Sequence, residues 1–183
     1  VTADGAAGAT DTSRPLRVGG AAFWALLLAV LVPDWLTKRW AETALLPRHV
    51  PHEIIGETLR FTLSYNQGAA FGMSVGAASR WFFAGLASGI IGLMLWATRD
   101  LVRTSRLASF GLPLVLGGAV GNLLDRLRDI GAVVDFIDIG VGDVRFWTFN
   151  VADMGVTFGA IALVLALWRE DAAASRARAE PPA

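Results

Sequence analysis

Val133-Val134-Asp135-Phe136-Ile137-Asp138-Ile139-Gly140-Val141-Gly142-Asp143-Val144-Arg145-Phe146-Trp147-Thr148-Phe149-Asn150-Val151-Ala152-Asp153 runs directly into the apolar stretch that ends at Trp168. Asp153 stands at the mouth of that stretch, and Asp135 sits among two valines and a phenylalanine. An ionisable group at the entrance to an apolar helix costs several kcal/mol if it faces lipid, so such an acid is a functional candidate by default. An apolar setting for Asp135 is equally unusual without a reason. Two acids held close together would form a pair able to share one proton.

The surrounding chain reads as membrane protein. Of 183 residues, 54% are hydrophobic and only 17% charged, and the mean hydropathy is +0.51. A soluble domain of this size needs more polar surface. The absence of cysteine excludes a disulfide framework, a thiolate metal site and a thiol nucleophile. His49 and His52, in a segment carrying Pro47 and Pro51, read as solvated loop residues, so no metal and no cofactor is implied. Net charge is +0, which gives no indication of nucleic acid.

Four apolar segments, at about 18 to 20 residues each, are long enough to cross a bilayer: Leu16 to Leu36, Trp81 to Thr98, Leu107 to Leu124 and Val151 to Trp168. The first runs straight into Asp34 and Lys38 with no small-residue cleavage pattern beyond, so it reads as a span and not as a cleaved leader. Residues 1–15 and 169–183 read as disordered tails on composition. An even number of crossings places both termini on one side. Arg99, Arg103 and Arg106 crowd the short connection between the second and third spans, with Arg14, Arg17 and Arg169 flanking the same face. By the positive-inside rule that face is cytoplasmic, and the two long connections lie outside.

Along the spans, Asp34 and Lys38 are one helical turn apart and can form an ion pair; alternatively Lys38 and Arg39 snorkel to the interface. Gly85/Gly89, Gly117/Gly121 and Gly155/Gly159 recur at the spacing that lets membrane helices approach closely. Asn122 and Arg126 can present an amide and a guanidinium to one spot, the latter suited to a lipid phosphate, with Asp125 pointing elsewhere as an interfacial charge. Outside the spans, Leu59 to Tyr65 alternates at period two and reads as a strand ending in Asn66-Gln67-Gly68-Ala69-Ala70-Phe71-Gly72. Small residues there allow close backbone approach. Phe136 to Ile139 and Val144 to Phe149 read as a hairpin about Gly140-Val141-Gly142-Asp143, with Asp129, Asp138 and Asp143 as solvated loop acids.

Asp153 also suits the third residue of a helix capped by Asn150, where an acid favours the helix dipole; the two roles are compatible. If the pair lies within a few ångström, one acid stays protonated while the other acts as base. The base can take a proton from water attacking a peptide carbonyl, and the acid can polarise that carbonyl and assist the leaving amine. No His-Glu-x-x-His pair offers a rival, metal-activated nucleophile.

The chain resembles the prolipoprotein signal peptidase, or signal peptidase II, family. The matching stretches are Asp34-Trp-Leu-Thr-Lys38, Asn66-Gln-Gly-Ala-Ala-Phe71, Gly117-Gly-Ala-Val-Gly-Asn-Leu-Leu-Asp-Arg126, Val133-Val-Asp-Phe136 and Phe149-Asn-Val-Ala-Asp153. They cover nearly everything between the tails, a peptidase domain over 16–168. The resemblance implies an integral membrane, mainly α fold: four transmembrane helices with a small extracytoplasmic β-rich cradle and a mobile loop over the site. It also implies an aspartic endopeptidase of the bacterial inner membrane that cuts prolipoproteins before a diacylglyceryl-modified cysteine. Asp135 and Asp153 fall on the catalytic dyad; Asn66, Asn122, Arg126 and Asn150 on polar positions lining the substrate site; Asp34 and Lys38 on supporting positions, with Gly68 in the same turn as Asn66. Implied partners are the prolipoprotein substrate, membrane lipids and the cyclic peptide antibiotic globomycin. A rival reading is a small proton-coupled transporter relaying through Asp34, Asp135 and Asp153, which predicts broken helices and an internal repeat that the sequence does not display. A structural membrane subunit would leave the hairpin acids unexplained.

Overall fold

The computed structural model describes residues 18–67 and 79–179. In chain order these form α1 (Ala21–Ala44), β1 (His52–Ile55), β2 (Leu59–Asn66), α2 (Ser79–Ala97), the one-turn α3 (Leu101–Thr104), α4 (Arg106–Leu127), β3 (Val133–Val141), β4 (Val144–Arg145) and α5 (Val151–Ala179). Four of the helices are long and apolar enough to cross a membrane. Gly68 to Gly72, and residues 1–15, lie outside the described residues.

α4 is the centre of the bundle and packs against α1, α2 and α5. Its position follows from composition. Gly111, Gly117, Gly118 and Gly121 let neighbours reach the α4 backbone: a Cβ on Gly117 would stand 2.6 Å from the Leu27 carbonyl oxygen, and one on Gly118 would strike that of Ala152. Gly159 of α5 faces Gly111 in the same way. Without a hydrophobic drive between helices in lipid, such close backbone packing is what holds them together. The apolar core at one end joins Phe23, Leu27, Val102, Leu112, Val115, Leu116 and Leu163. Trp24, Leu28, Leu86, Ile90, Leu93, Ile161 and Val164 are exposed, which gives the bundle an apolar outer surface.

The strands form one antiparallel sheet of order β1-β2-β3-β4 at the other end. Leu63, Val134 and Phe136 bury against Ala41 and Leu45 at the end of α1, and the Trp40 ring meets Phe61 and Phe136 edge-on at 5.3 and 6.1 Å. Pairing of Ser64 with Asp135 and of Asn66 with Val133 then brings Asn66 diagonally beside Asp135.

Several expected boundaries shift. α1 starts at Ala21 and continues past Leu36 to Ala44, with Pro33, Asp34 and Lys38 inside it, because Asp34 and Lys38 are neutralised inside the bundle. α5 does not end at Trp168: residues 169–179, expected to be a disordered tail, are helical, since an alanine-rich segment with arginines near its end has high helix propensity in water. The hairpin is also uneven. β3 begins three residues earlier than expected, and β4 is two residues long; Phe149 rejoins the sheet only by a bridge to Ile137. Gly85 and Gly89 make no close helix contact among the described residues, because α2 is peripheral, with only 6% of its span buried.

Gly159→Ala places a methyl 2.6 Å from the Gly111 carbonyl oxygen. It is expected to destabilise the bundle by about 1–3 kcal/mol, read as a lower unfolding temperature in detergent. Gly92→Ala, which meets nothing within 4 Å, carries the same gain in helix propensity without the clash and is the control, expected not to lower the unfolding temperature.

Candidate active site

The site is built at the amino end of α5. Asn150 directly precedes the helix; its side-chain oxygen accepts from the Asp153 N–H at 3.0 Å, and Asp153 Oδ2 accepts from the Asn150 N–H at 3.1 Å. This reciprocal cap satisfies two helix-end donors and fixes the Asp153 rotamer. The Asn150 amide nitrogen, fully buried, donates to Asp135 Oδ1 at 2.7 Å. One asparagine therefore touches both acids. β3 delivers Asp135 from the other side, where the Asn66 side chain also hydrogen-bonds its carboxyl.

Beneath the acids lies Lys38, 2% exposed. Its ammonium reaches Asp34 Oδ2 at 2.8 Å, Asp125 Oδ2 at 2.9 Å and Asn122 Oδ1 at 2.9 Å, which uses its three donors. Asn122 turns its amide nitrogen to Asp153 Oδ1 at 2.8 Å. Asp34 Oδ1 accepts from the Ala152 N–H at 2.8 Å, so α1 caps the first turn of α5 from outside. A side chain on Gly121 would occupy the space of Asp34 Oδ2. Arg126 donates from Nη1 to the Asn122 carbonyl at 3.0 Å, and its charge acts on both Asp135 and Asp153.

Burial, and then the neighbouring Asp153 charge, push the Asp135 carboxyl up to about 7, against the hydrogen bonds of Asn150 and Asn66 and the Lys38 charge. Both acids open into a cleft of about 980 Å³, walled by Phe146, Trp147 and Phe149 and continued along α5 by Met154 and Phe158. Phe158 is also on the exposed apolar surface of the helix, so the cleft is open sideways toward where lipid would lie.

A family model described as signal peptidase (SPase) II matches residues 26–169. The chain belongs to the signal peptidase II family. It is 40% identical over 148 residues to the lipoprotein signal peptidase of Hydrogenovibrio crunogenus, covering 76% of this chain and 81% of that protein. It is 35% identical over 157 residues to that of Pseudoalteromonas atlantica, covering 84% and 93%. A bacterial membrane enzyme structure determined in meso at 1.9 Å superposes with a TM-score of 0.72 at 28% identity, covering 84% of this chain and 96% of that one.

Of the residues picked from sequence in this signal peptidase II chain, Asp34, Lys38, Asn66, Asn122, Arg126, Asp135, Asn150 and Asp153 come together; Gly68 falls outside the described residues. Asp125 needs correcting. It does not point elsewhere but is buried against Lys38, as its i,i+3 spacing from Asn122 allows. Asp138 is no solvated acid either: it is buried between Arg145 at 2.7 Å and Arg60 at 3.3 Å, with Thr62 donating at 3.1 Å. Its carboxyl is desolvated, yet these donors hold it below the ordinary range. Asp129 and Asp143 are exposed, as expected.

Removing the central cation leaves two buried carboxylates facing each other. Lys38→Met is expected to cost about 3–5 kcal/mol, measured as the unfolding free energy or temperature of the purified protein in detergent.

Proposed function

We propose that this chain is an aspartic endopeptidase that cleaves the signal peptide from diacylglyceryl-modified prolipoproteins just before the lipidated cysteine, with Asp135 and Asp153 as its dyad. The observation that carries the reading is the sharing of Asn150 by two acids open to one cleft, one of them raised to about 7. Near neutral pH, Asp135 then holds the shared proton and Asp153 is the base.

Water placed between them attacks the scissile carbonyl carbon. One of its protons passes to Asp153 while Asp135 gives its own to the carbonyl oxygen, which yields a tetrahedral diol. Collapse re-forms the carbonyl by returning a hydroxyl proton to Asp135. The C–N bond breaks as Asp153 passes its proton to the leaving nitrogen, which restores the starting pair. Asn122, Asn150 and Arg126 hold the carboxylates and offset their charge, and Asn66 lines the substrate path. The aromatic wall and the lateral opening along α5 suit a peptide whose acyl chains stay in lipid, and would equally receive a cyclic lipophilic peptide such as globomycin. The arginines about α3, at the end opposite the cleft, favour cytoplasmic termini in a bacterial inner membrane, with the cleft near the outer leaflet. A transporter finds no support: the acids sit on a helix terminus and a strand at one end of the bundle, and the family is one of peptidases.

Asp135→Asn and Asp153→Asn are each expected to abolish hydrolysis of a lipid-modified precursor in detergent while leaving unfolding cooperative; retained turnover in either rejects the dyad. Wild-type activity is expected to fall as pH rises through about 7, where Asp135 loses its proton. The raised value also means that the stability gained from protonating Asp135 is complete below the unfolded carboxyl pKa and lost as pH rises through about 7. The inactive Asp135→Asn is therefore expected to unfold at a higher temperature than wild type in alkaline buffer, with the gap closing in acid.

A further inference from the structure

Asp125 has no place in the steps above, yet both acids are tied to it. Its Oδ2 accepts from the buried Val134 N–H at 3.1 Å, one residue before Asp135. The same oxygen takes the Lys38 ammonium at 2.9 Å. Lys38 in turn donates to the Asn122 oxygen, which obliges the Asn122 nitrogen to face Asp153. The other oxygen, Oδ1, is held by Arg128 at 3.2 Å, and Arg128 is anchored on Glu42 of α1 at 2.9 Å.

We infer that Asp125 is a positioning residue for the peptidase reaction, its single carboxylate fixing β3 and the Lys38–Asn122 arm together and so setting the separation of Asp135 from Asp153. This rests on the dyad proposed above. A neutral amide cannot replace it. Asparagine could offer one oxygen to Val134 and Lys38, but its nitrogen would then face the Arg128 guanidinium, donor against donor. Turned over, it would present that nitrogen to two donors. The charged groups around Asp125 are Asp34, Lys38 and Glu42 from α1, Arg126 of α4, and Arg128 just beyond it. Removing the Asp125 charge leaves Lys38 less neutralised, and Lys38 favours the ionised form of Asp135. The alkaline limb of the rate profile should therefore move to lower pH. The cleft wall is untouched, so substrate affinity should not change.

The test measures kcat and KM across pH for wild type, Asp125→Asn and Arg128→Gln on a lipid-modified precursor, normalised to folded protein, with Asp135→Asn alongside. Misplacement of reacting groups by a fraction of an ångström to an ångström predicts a kcat loss of about 10²-fold for Asp125→Asn, with KM unchanged and the alkaline limb displaced downward. Arg128→Gln frees only Oδ1 and is expected to lower kcat by about tenfold, again at constant KM; it carries the test if Asp125→Asn does not fold. Wild-type kcat and pH profile with only a lower unfolding temperature would make Asp125 a structural residue and overturn the inference. Turnover by Asp135→Asn would instead refute the dyad, so the two failures are distinguishable.

Discussion

Burying an ammonium group costs several kcal/mol unless each of its donors meets an acceptor, and Lys38 meets that condition with Asp34, Asp125 and Asn122. The rest of the polar end of the molecule depends on this arrangement. Through Asp34 the cation is linked to the first turn of α5 at Ala152; through Asp125 to β3 at Val134; through Asn122 to Asp153. Three helices and a strand are thus locked around one charge. Hydrogen bonds in such a dry network are strong, and the penalty for losing a single partner is correspondingly large.

The two kinds of secondary structure supply different parts of the site. A helix start offers unpaired N–H groups, which explains why Asn150 and Asp153 close a reciprocal cap at α5. A strand offers alternation, so β3 buries Val134 against Ala41 and Leu45 while its neighbour Asp135 faces the cleft. The glycines of α4 complete the arrangement by letting α1 and α5 reach its backbone; bulkier residues would move Asp34 and Asn150 away from their partners. Signal peptidase II activity on a lipid-anchored peptide needs such a rigid polar end beside an apolar surface, and the cleft between Phe146, Trp147 and Phe158 joins the two.

Much of this was legible in the chain. Span length identified the bundle, the apolar surroundings of Asp135 and Asp153 singled out two acids that the fold brings to one cleft, and period two identified β2. What could not be read were partnerships across long sequence separation. Asp125 resembled an interfacial charge because Lys38 is far away in sequence, and Asp138 resembled a loop acid because strand pairing brings its partners to it, Arg60 from 78 residues away and Arg145 from across the hairpin. The end of α1 was misplaced for the same reason: Asp34 and Lys38 interrupt an apolar run only if their charges remain uncompensated. Gly85 and Gly89 illustrate the converse, since spacing alone does not say whether a helix face has a neighbour.

The central claim is that these contacts hold Asp135 and Asp153 as a pair with one proton between them at neutral pH. Infrared difference spectroscopy on a pH titration of the detergent-solubilised protein tests it most directly, through the carbonyl stretch of a protonated carboxylic acid. The account predicts one such band that disappears with a midpoint near 7 and is missing from Asp135→Asn. A titration in which every acid has ionised well below neutrality, or a band unaffected by that substitution, would contradict it.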